Sequence, residues 1–361
     1  MKKAVWLTAI AGATALALSA CGAAPEESTG GESNAASDFK PCIVSDAGGF
    51  DDKSFNQLSF EGATAAAEEL GTELVDVQST SESDYKGNVE SLVAEGCNAI
   101  VTVGFALSAT TVESATANPD IDYILVDDAA DADFDGNADA ENIKPLLYDT
   151  AQAAFLAGYL AAGYSEAGKV GTFGGMDFPT VTIFMDGFKQ GAEYYAKEKG
   201  KDVKVVGWDG KDGLFTGGFE ANETATNTAR QLLDQDVDVI LPVGGPIYQG
   251  ALTAIDASGA DVAMLGVDAD VFETDPNTQD VILTSILKNM KVSTYEAITS
   301  AASDEDFDFS PYIGTLENDG VGIAPFHNFE SKVNPDLQGQ LDEIKAGIID
   351  GSIKVTSYLN P

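Results

Sequence analysis

The sequence has little positive charge. It contains 19 lysine and arginine residues against 59 aspartate and glutamate residues, which gives a formal net charge of −40 at pH 7. Arg230 is the only arginine, so the bidentate phosphate clamps that arginine provides are almost absent. Nucleic acid and highly phosphorylated ligands are therefore poor candidates for partners. The acidity itself fits a soluble exterior or an adaptation to salt, and it identifies no ligand.

Histidine is scarcer still, and common enzyme motifs are missing. His327 is the only histidine, which excludes sites built from several histidines and leaves one candidate for a histidine-based triad. The segment VGTFGG lacks the G-x-G-x-x-G spacing of a dinucleotide-binding turn. The acidic run Asp46, Asp51 and Asp52 lacks the spacing and the glutamate of an EF-hand loop. We therefore predict a protein that is not an enzyme and that has no cofactor and no metal site.

The N-terminus has the features of a bacterial export signal. Two lysines precede an apolar run from Ala4 to Leu18, and small residues come directly before Cys21. The run is shorter than the ~20 residues that a membrane-spanning helix needs, and no later segment is long and apolar enough. Because LSAC resembles the lipobox of bacterial lipoproteins, we predict a signal peptide over residues 1–20 and lipid attachment at Cys21. The alternative is an ordinary secretory signal with an incidental cysteine.

A tether follows the signal peptide. Residues 21–38 are rich in glycine, serine, alanine and glutamate, a composition that cannot bury a core and that stays flexible. We predict a spacer between a lipid anchor in the cell membrane and an extracytoplasmic domain that begins at residue 39.

The two remaining cysteines are Cys42 and Cys97, each at the start of a predicted strand. The compartment outside the cytoplasmic membrane is oxidising enough to permit a disulfide. The sequence leaves two alternatives, a bond between these residues or two buried free thiols, and we predict the bond.

Beyond the tether, short β-rich runs alternate with helical patterns. This order predicts an α/β fold with doubly wound parallel sheets covered on both faces. The pattern restarts near Thr150, so two similar lobes are expected. We predict a first lobe of residues 39–149 plus about 269–315, and a second lobe of residues 150–268 plus about 316–361. Ligands of open α/β sheets sit beyond the carboxyl ends of the strands, so two facing lobes form a cleft that closes by hinge motion.

The first predicted strand leads into SDAGGFDDKSFNQLSFEG, residues 45–62. This loop and helix start lie beyond the strand, where they can face a ligand. Either Asp52 or Ser54 can cap the helix that follows. The groups left to contact a ligand or the core are Asp46, Asp51, Asn56, Phe55 and Phe60.

This segment resembles the signature of the basic membrane lipoprotein family, the Bmp or PnrA-like solute-binding proteins, whose first strand leads into D-x-G-x-x-D-D-x-S-F-N. Residues 169–191, KVGTFGGMDFPTVTIFMDGFKQG, are similar to the family's second-lobe opening, and ILPVGGPIYQG, LGVDAD, ILTSILKNM and LENDGVGI follow in the family's order. The resemblance covers essentially the whole chain after the tether. It implies a type I periplasmic-binding-protein fold and a monomeric receptor that delivers nucleosides, chiefly purine nucleosides, to an ABC permease and its ATPase.

The resemblance also implies a pocket that stacks the base between aromatic rings and binds the ribose through carboxylates and a lysine. Asp268 is expected to accept hydrogen bonds from ribose hydroxyls, and Lys288 to donate to the ribose unless it faces solvent. Asp149 is a candidate either for the base edge or for the N-cap of the next helix. The other implied pocket positions are Asp51, Asn56, Phe60, Gly244, Gly245 and Tyr248, with Phe105 and Phe178 as competing aromatic rings.

Other functions stay open at this point. A protein of the same fold for a sugar or another polar metabolite is the alternative, because carboxylates and aromatic rings also hold monosaccharides. A surface adhesin or a sensor component is a further possibility, since fold does not fix function. A neutral nucleoside suits an acidic protein that is poor in arginine. Pro246 and Ile247 stand where many relatives have small or polar residues, which leaves the base preference open.

Overall fold

The structure is a computed structural model that describes residues 38–132, 137–303 and 307–360. These residues lie in one compact unit, Ala36–Pro361. The predicted signal peptide, the predicted lipid site Cys21 and nearly all of the tether lie outside the described residues. Within the described part of the chain, no helix combines the length and the apolar composition needed to cross a membrane.

Strands and helices alternate along the described chain. The strands are Pro41–Val44 (β1), Val75–Val77 (β2), Ala99–Val103 (β3), Asp122–Val126 (β4), Ile143–Tyr148 (β5), Lys169–Gly174 (β6), Lys204–Val206 (β7), Val239–Val243 (β8), Ala263–Asp268 (β9), Ile282–Lys288 (β10), Tyr312–Gly314 (β11) and Val321–Ile323 (β12). The helices are Phe55–Leu70 (α1), Tyr85–Ala94 (α2), Ser108–Ala117 (α3), Thr150–Tyr164 (α4), Pro179–Lys199 (α5), Glu223–Leu233 (α6), Ile247–Ser258 (α7), Val271–Thr274 (α8), Met290–Ser303 (α9) and Pro335–Ile349 (α10).

The strands form two sheets of the same design. The first sheet has the order β11-β5-β4-β3-β1-β2, and the second has the order β12-β10-β9-β8-β6-β7. Apart from the antiparallel pair of β10 with β12, the paired strands run parallel. The central strands are buried along nearly their whole length, as expected for sheets covered by helices on both faces. The predicted fold class, two doubly wound parallel-sheet lobes, is confirmed.

The chain crosses between the lobes after β5, after β10 and after β11. Helix α4 follows a strand of the first sheet but packs on α5 of the second lobe, and α9 follows a strand of the second sheet but packs on α1 of the first. The predicted lobe boundary at residue 268 is wrong for Ile282–Lys288, which pairs with β9 in the second sheet. Strand propensity alone does not reveal which sheet a strand joins.

Glycines let each crossing helix touch its partner lobe closely. A Cβ atom on Gly191 of α5 would lie 1.9 Å from the carbonyl oxygen of Phe155 in α4. A Cβ atom on Gly62 of α1 would lie 2.3 Å from the carbonyl oxygen of Lys291 in α9. The close packing fixes each crossing helix to the lobe that it enters. It also fixes the position of the strand end that precedes the helix.

A disulfide joins β1 to the segment just before β3. Cys42 and Cys97 are bonded, with their Cα atoms 6.0 Å apart, and both side chains are buried. The bond therefore ties together two neighbouring strands of the first sheet.

Loss of this disulfide is expected to destabilise the domain. The bond closes a loop with a sequence separation of 55 residues, for which the chain-entropy argument gives about 4 kcal/mol. The double variant Cys42→Ala with Cys97→Ala should lower the free energy of unfolding by about 2–4 kcal/mol, as measured by urea denaturation. Reduction of the unmutated domain should lower it by a similar amount. An unchanged denaturation midpoint in both experiments would contradict a stabilising bond.

Candidate ligand-binding site

The carboxyl ends of both sheets meet at the cleft between the lobes. In the first lobe, Asp46 follows β1, Asp127 follows β4 and Asp149 follows β5. In the second lobe, β9 ends at Asp268 and β10 ends at Lys288. Parallel strands bring their carboxyl ends to one edge of a sheet, so these charged side chains converge.

Lys288 lies at the centre of the cleft with one aspartate from each lobe. Its Nζ atom is 2.7 Å from Oδ2 of Asp127 and 3.7 Å from Oδ1 of Asp268. The exposed fraction of each of these side chains is between 3% and 7%. The hydroxyl of Ser54, in the first lobe, donates to Oδ2 of Asp268 at 3.3 Å. Since the ion pair and the hydrogen bond both cross between the lobes, the structure is a closed form of the cleft.

Asp127 and Asp268 occupy equivalent places in the two lobes. β4 and β9 hold the same position in the order of their sheets, and the two aspartates have positive φ angles of 67° and 68°. A non-glycine residue in the left-handed region is uncommon, and such residues cluster at ligand sites. The two lobes therefore present matching carboxylates to the cleft from opposite sides.

Burial sets the electrostatics of this group. It raises the pKa of Asp127 to about 6, although the Lys288 ammonium opposes the rise. Burial also raises the pKa of Asp268, again against the effect of Lys288. A buried charge is costly unless it is paired and hydrogen-bonded. One ammonium here serves two carboxylates, so a ligand with several hydroxyl donors would stabilise the group.

Aromatic rings surround the Lys288 ammonium. Its Nζ atom lies 5.0 Å from the ring centroid of Phe184, 5.4 Å from that of Phe55 and 5.8 Å from that of Tyr148. These distances are within the range of cation–π attraction. Phe55 belongs to the first lobe and Phe184 to the second, so both lobes bring a ring to the lysine.

A second group of aromatic rings, separate from those around Lys288, brings the two lobes together. The ring of Phe105, after β3, lies 4.5 Å from that of Phe178, just before α5. Phe219 lies 6.0 Å from Phe105. A Cβ atom on Gly244 would be 2.5 Å from the ring of Phe219. Gly244, expected from the sequence to admit a ligand, therefore makes room for this ring, while Gly245 has no neighbouring atom within 4 Å of an added Cβ atom.

Asp46 and Asn56 form a network at the start of α1. The Asn56 amide donates to Oδ1 of Asp46 at 2.8 Å and to Oδ2 of Asp52 at 2.9 Å. Asp52 caps the helix, since its carboxylate accepts from the backbone N–H groups of Ser54, Asn56 and Gln57. Burial raises the pKa of Asp46 to about 6. Among the described residues, no cluster of acidic, histidine and cysteine side chains could hold a metal ion.

Asp46→Asn should stabilise the ligand-free domain at neutral pH. The pKa of Asp46 is raised from 3.8 to about 6 on folding, so its contribution to stability is present below pH 3.8 and is lost as the pH rises through about 6. The asparagine can keep the hydrogen bonds at Oδ1 without the charge. We expect a gain of up to about 3 kcal/mol in the free energy of unfolding at pH 7.5 and little gain at pH 4, measured by urea denaturation. An equal effect at both pH values would contradict this assignment.

Two of the predicted site residues come together in the structure. Asp268 and Lys288 face each other in the cleft, and Lys288 does not face solvent. Asp149 is buried with 3% of its surface exposed, and its Oδ2 accepts from the Gln152 amide at 2.9 Å. Its Oδ1 has no hydrogen-bond partner within the described residues. Asp149 occupies the N-cap position of α4 but makes no side-chain cap bond to that helix.

Other predicted residues do not reach the centre of the cleft. Phe60 stacks on Phe50 with ring centroids 4.5 Å apart, so that neighbour covers one of its faces. Tyr248 is only 2% exposed, and its hydroxyl donates to Asp275 at 2.9 Å. Tyr248 packs into the core of the second lobe because α7 turns that side of the helix inward. Asp51 lies exposed on the loop before α1.

Asp127 is the site residue that the sequence interpretation missed, whereas Phe55 was left there as a candidate for either the ligand or the core. Asp127 follows the predicted strand YILVDD just as Asp268 ends LGVDAD, and this parallel between the lobes was the available signal. Phe55 and Phe60 both sit at the start of α1. Only tertiary packing distinguishes the two rings, since Phe60 stacks on Phe50 and Phe55 lies beside Lys288.

A cavity adjoins the lysine and aspartate group. It has a volume of about 600 Å³ and borders Asp268 and Lys288 as well as Leu58, Asn289 and Lys345. Ligand pockets in proteins usually measure about 300–1,000 Å³. Asp127, Phe55 and Phe184 do not line this cavity, and much of its lining comes from β12 and α10, so the cavity is not assigned to the ligand.

The chain is similar in sequence to known solute-binding proteins. The sequence model of the family described as ABC transporter substrate-binding protein PnrA-like matches residues 39–356. The ABC transporter nucleoside-binding protein BmpA of Lactococcus lactis subsp. cremoris is 26% identical over 99% of each chain. Basic membrane protein A of Borreliella burgdorferi is 28% identical over 86% of each chain.

The fold is also shared with solved structures. A solute-binding protein of an ABC transporter system from Aeropyrum pernix has a TM-score of 0.77 and 26% identity, covering 88% of this chain and 93% of the other. AraP, an arabinose-binding protein from Geobacillus stearothermophilus, has a TM-score of 0.59 and 17% identity, covering 82% of this chain and 99% of the other. At that identity the second likeness concerns the fold alone.

Proposed function

The chain belongs to the Bmp family of PnrA-like ABC transporter substrate-binding proteins, and from this membership we propose that it captures nucleosides, chiefly purine nucleosides, between its lobes. The observation that carries the proposal is the Lys288 ammonium between Asp127 and Asp268, with aromatic rings beside it. Carboxylates accept charge-assisted hydrogen bonds from ribose hydroxyls. Aromatic rings stack on a base, for roughly 1–3 kcal/mol per base.

The charge of the site supports a neutral ligand. The Lys288 ammonium is already shared by two carboxylates, so the described residues leave no free cation at the centre of the cleft to neutralise a phosphate. A nucleoside needs no such neutralisation. The printed name of the Lactococcus lactis relative, a nucleoside-binding protein, agrees with this assignment.

Capture depends on hinge closure rather than on chemistry. Asp127 and Ser54 come from the first lobe, whereas Asp268 and Lys288 come from the second. An open cleft separates these partners, and a bound ribose can join them again through its hydroxyls. Differential binding to the closed form shifts the population toward closure. The protein then acts as a receptor without a catalytic step.

The receptor is proposed to work at the outer face of the cell membrane. Cys21 would carry the lipid, and residues 22–38 would span the distance to the domain. Its partners would be a membrane permease and its ATPase, and one cleft per chain suffices for a monomer. Cys21→Ser should release the protein from the membrane fraction of producing cells into the medium. Retention of this variant in the membrane after residues 1–20 have been removed would contradict the lipid anchor.

Calorimetric titration of residues 39–361 tests the ligand class. The domain is unfolded and refolded to remove carried-over ligand, then titrated with adenosine, guanosine, inosine, cytidine, uridine and ribose. We expect purine nucleosides to bind at least tenfold more tightly than pyrimidine nucleosides, and free ribose to bind weakly, because the base stacking is lost. Binding of sugars without any binding of nucleosides would overturn the proposal in favour of a sugar receptor.

A further inference from the structure

Several buried polar atoms at the starts of α4 and α5 lack a hydrogen-bond partner within the described residues. They are Oδ1 of Asp149 and the hydroxyls of Thr150 and Thr180. The exposed fraction is 3% for Asp149, 0% for Thr150 and 8% for Thr180. Burial of an unpaired polar group costs free energy, so such a group in a native structure needs an explanation. Next to a binding cleft, a hydrogen bond to the ligand provides one.

Thr180 lacks the acceptor that threonines inside other helices use. In α6, the hydroxyl of Thr228 donates to the carbonyl of Thr224, four residues earlier, at 2.9 Å. In α9, Thr299 donates in the same way to Tyr295 at 2.9 Å. Thr180 is the second residue of α5, so the residue four positions before it lies outside the helix. Its hydroxyl therefore stays available to another molecule.

The first turns of α5 extend past the start of α4. A Cβ atom on Gly187 would lie 2.3 Å from the carbonyl oxygen of Ala151, and one on Gly191 would lie 1.9 Å from that of Phe155. These two contacts advance in the same direction along both helices. The residues of α5 before Gly187 therefore lie beyond the first turn of α4, on the side of the strand ends from which α4 begins.

Thr180 lies between two contacts at the cleft. Residues four apart in a helix share a face, so Thr180 is on the same face of α5 as Phe184, whose ring centroid lies 5.0 Å from Nζ of Lys288. Two residues before Thr180, the ring of Phe178 lies 4.5 Å from that of Phe105 in the first lobe. Thr180 is therefore placed between the group around the lysine and the second group of rings.

A threonine hydroxyl suits the edge of a purine base. A carboxylate only accepts hydrogen bonds, whereas a hydroxyl donates one bond, accepts others and rotates to suit its partner. The amino group of adenosine is a donor, while the oxo group of inosine or guanosine and the ring nitrogens are acceptors. A single hydroxyl can therefore pair with either kind of edge atom.

We propose that the Thr180 hydroxyl forms a hydrogen bond with an edge atom of the base. This inference rests on the proposed nucleoside function and extends it to a further specificity-determining residue. The charged group around Lys288 then serves the ribose, and the start of α5 serves the base. The hydroxyl is covered in the closed form, so the ligand reaches it when the lobes are apart and remains bonded to it after closure.

Thr180→Val tests the contact, because it removes the hydroxyl and keeps the shape of the side chain. Dissociation constants are measured by calorimetry for adenosine, inosine and guanosine. We expect Thr180→Val to weaken the tightest of these ligands about tenfold. Thr180→Ser, which keeps the hydroxyl, should bind within about threefold of the unmutated domain. Thr228→Val is the matched control, since Thr228 is also buried in a helix of the second lobe but already uses its hydroxyl within α6, and it should bind within twofold.

Urea denaturation of the ligand-free variants separates a ligand contact from a structural role. Thr180→Val replaces an unpaired hydroxyl with a methyl group, so its denaturation midpoint should equal or exceed that of the unmutated domain. A lowered midpoint together with weaker binding would assign the hydroxyl to the fold and overturn the inference. An equal loss of affinity in Thr180→Val and Thr180→Ser would do the same, because it would depend on shape instead of on the hydrogen bond.

Purine analogues identify the contacted atom. The unmutated domain and Thr180→Val are titrated with the 1-deaza, 3-deaza and 7-deaza analogues of the tightest ligand, and with analogues that lack its amino or oxo substituents. The tenfold penalty should fall below twofold for the analogue that lacks the contacted atom. An equal penalty for every analogue, or binding of all nucleosides within twofold of the unmutated domain, overturns the inference while the proposed function stands. If the unmutated domain binds no nucleoside, the proposed function itself fails, which is a separate result.

Discussion

Lys288→Met should lower the free energy of unfolding by about 3–5 kcal/mol at pH 7.5 and abolish ligand binding. Methionine retains the length of the side chain and removes its charge. Asp127 and Asp268 would then remain buried with no cation between them. An uncompensated buried carboxylate is destabilising, because the low dielectric of the site disfavours its ionised form. The measurement is urea denaturation of the variant and the unmutated domain in parallel.

The pH dependence of this loss separates charge from packing. The pKa of Asp127 is already raised from 3.8 to about 6 on folding, and removal of the ammonium raises it further. A raised pKa means that the folded state binds the proton more tightly, so stability falls as the pH rises through the folded pKa and is regained toward pH 4. The defect should therefore be largest above pH 7 and should shrink markedly at pH 4.5.

Lys291→Met provides the matched control for this experiment. Lys291 pairs with Glu61 at 2.9 Å, but its side chain is 52% exposed, so its loss should change stability by less than about 1 kcal/mol. A loss of similar size in the two variants would contradict the central role of Lys288. A pH-independent loss in Lys288→Met would assign its effect to packing instead of charge.

Much of the fold could be predicted because the pattern of each element is local. The alternation of strands and helices fixes the α/β class, and the position of Asp268 at the end of a strand fixes its place at the cleft. The strand Ile282–Lys288 was assigned to the wrong lobe because it is sequentially close to the crossing and equally suited to either sheet. Its position depends on pairing with β9, which is a tertiary contact.

The sequence could not show which aromatic rings face the cleft, for a different reason. Phe55 and Phe60 are near each other on α1, and Tyr248 sits at the start of α7 in the same way as a ligand-facing residue would. Which ring faces the cleft depends on the rotation of each helix over its sheet. Tyr248 is instead held in the core by its bond to Asp275.

The equivalence of Asp127 and Asp268 explains why the site is so compact. Each residue stands at the end of the same strand of its lobe, with the same left-handed backbone. When the lobes close, the two strand ends meet, and a single lysine from the neighbouring β10 serves both. The cleft therefore needs only one cation, which agrees with a chain so poor in positive charge.

Asp268→Asn should weaken the binding of a ribonucleoside about 100-fold while leaving the fold intact. The substitution keeps the volume of the side chain and removes the charge that would strengthen hydrogen bonds from ribose hydroxyls, each worth roughly 1.5–3 kcal/mol when the acceptor is charged. Burial raises the pKa of Asp268, so loss of its charge should not destabilise the ligand-free domain at pH 7.5. The measurements are calorimetric titration and urea denaturation.

Titration with deoxynucleosides tests whether the affinity lost in Asp268→Asn comes from contacts with the ribose. Asp186→Asn is the control, because it also removes a partly buried carboxylate from the second lobe. The Asp186 carboxylate accepts from the Trp208 indole at 2.8 Å. This variant should bind the nucleoside within twofold of the unmutated domain. With 2′-deoxy and 3′-deoxy nucleosides, the penalty of Asp268→Asn should shrink to less than tenfold, since one partner of the hydrogen bond is already absent. A penalty that stays at 100-fold for both deoxynucleosides would place Asp268 away from the ribose. The ion pair of Lys288 and Asp268 would then hold the lobes closed without contacting the ribose.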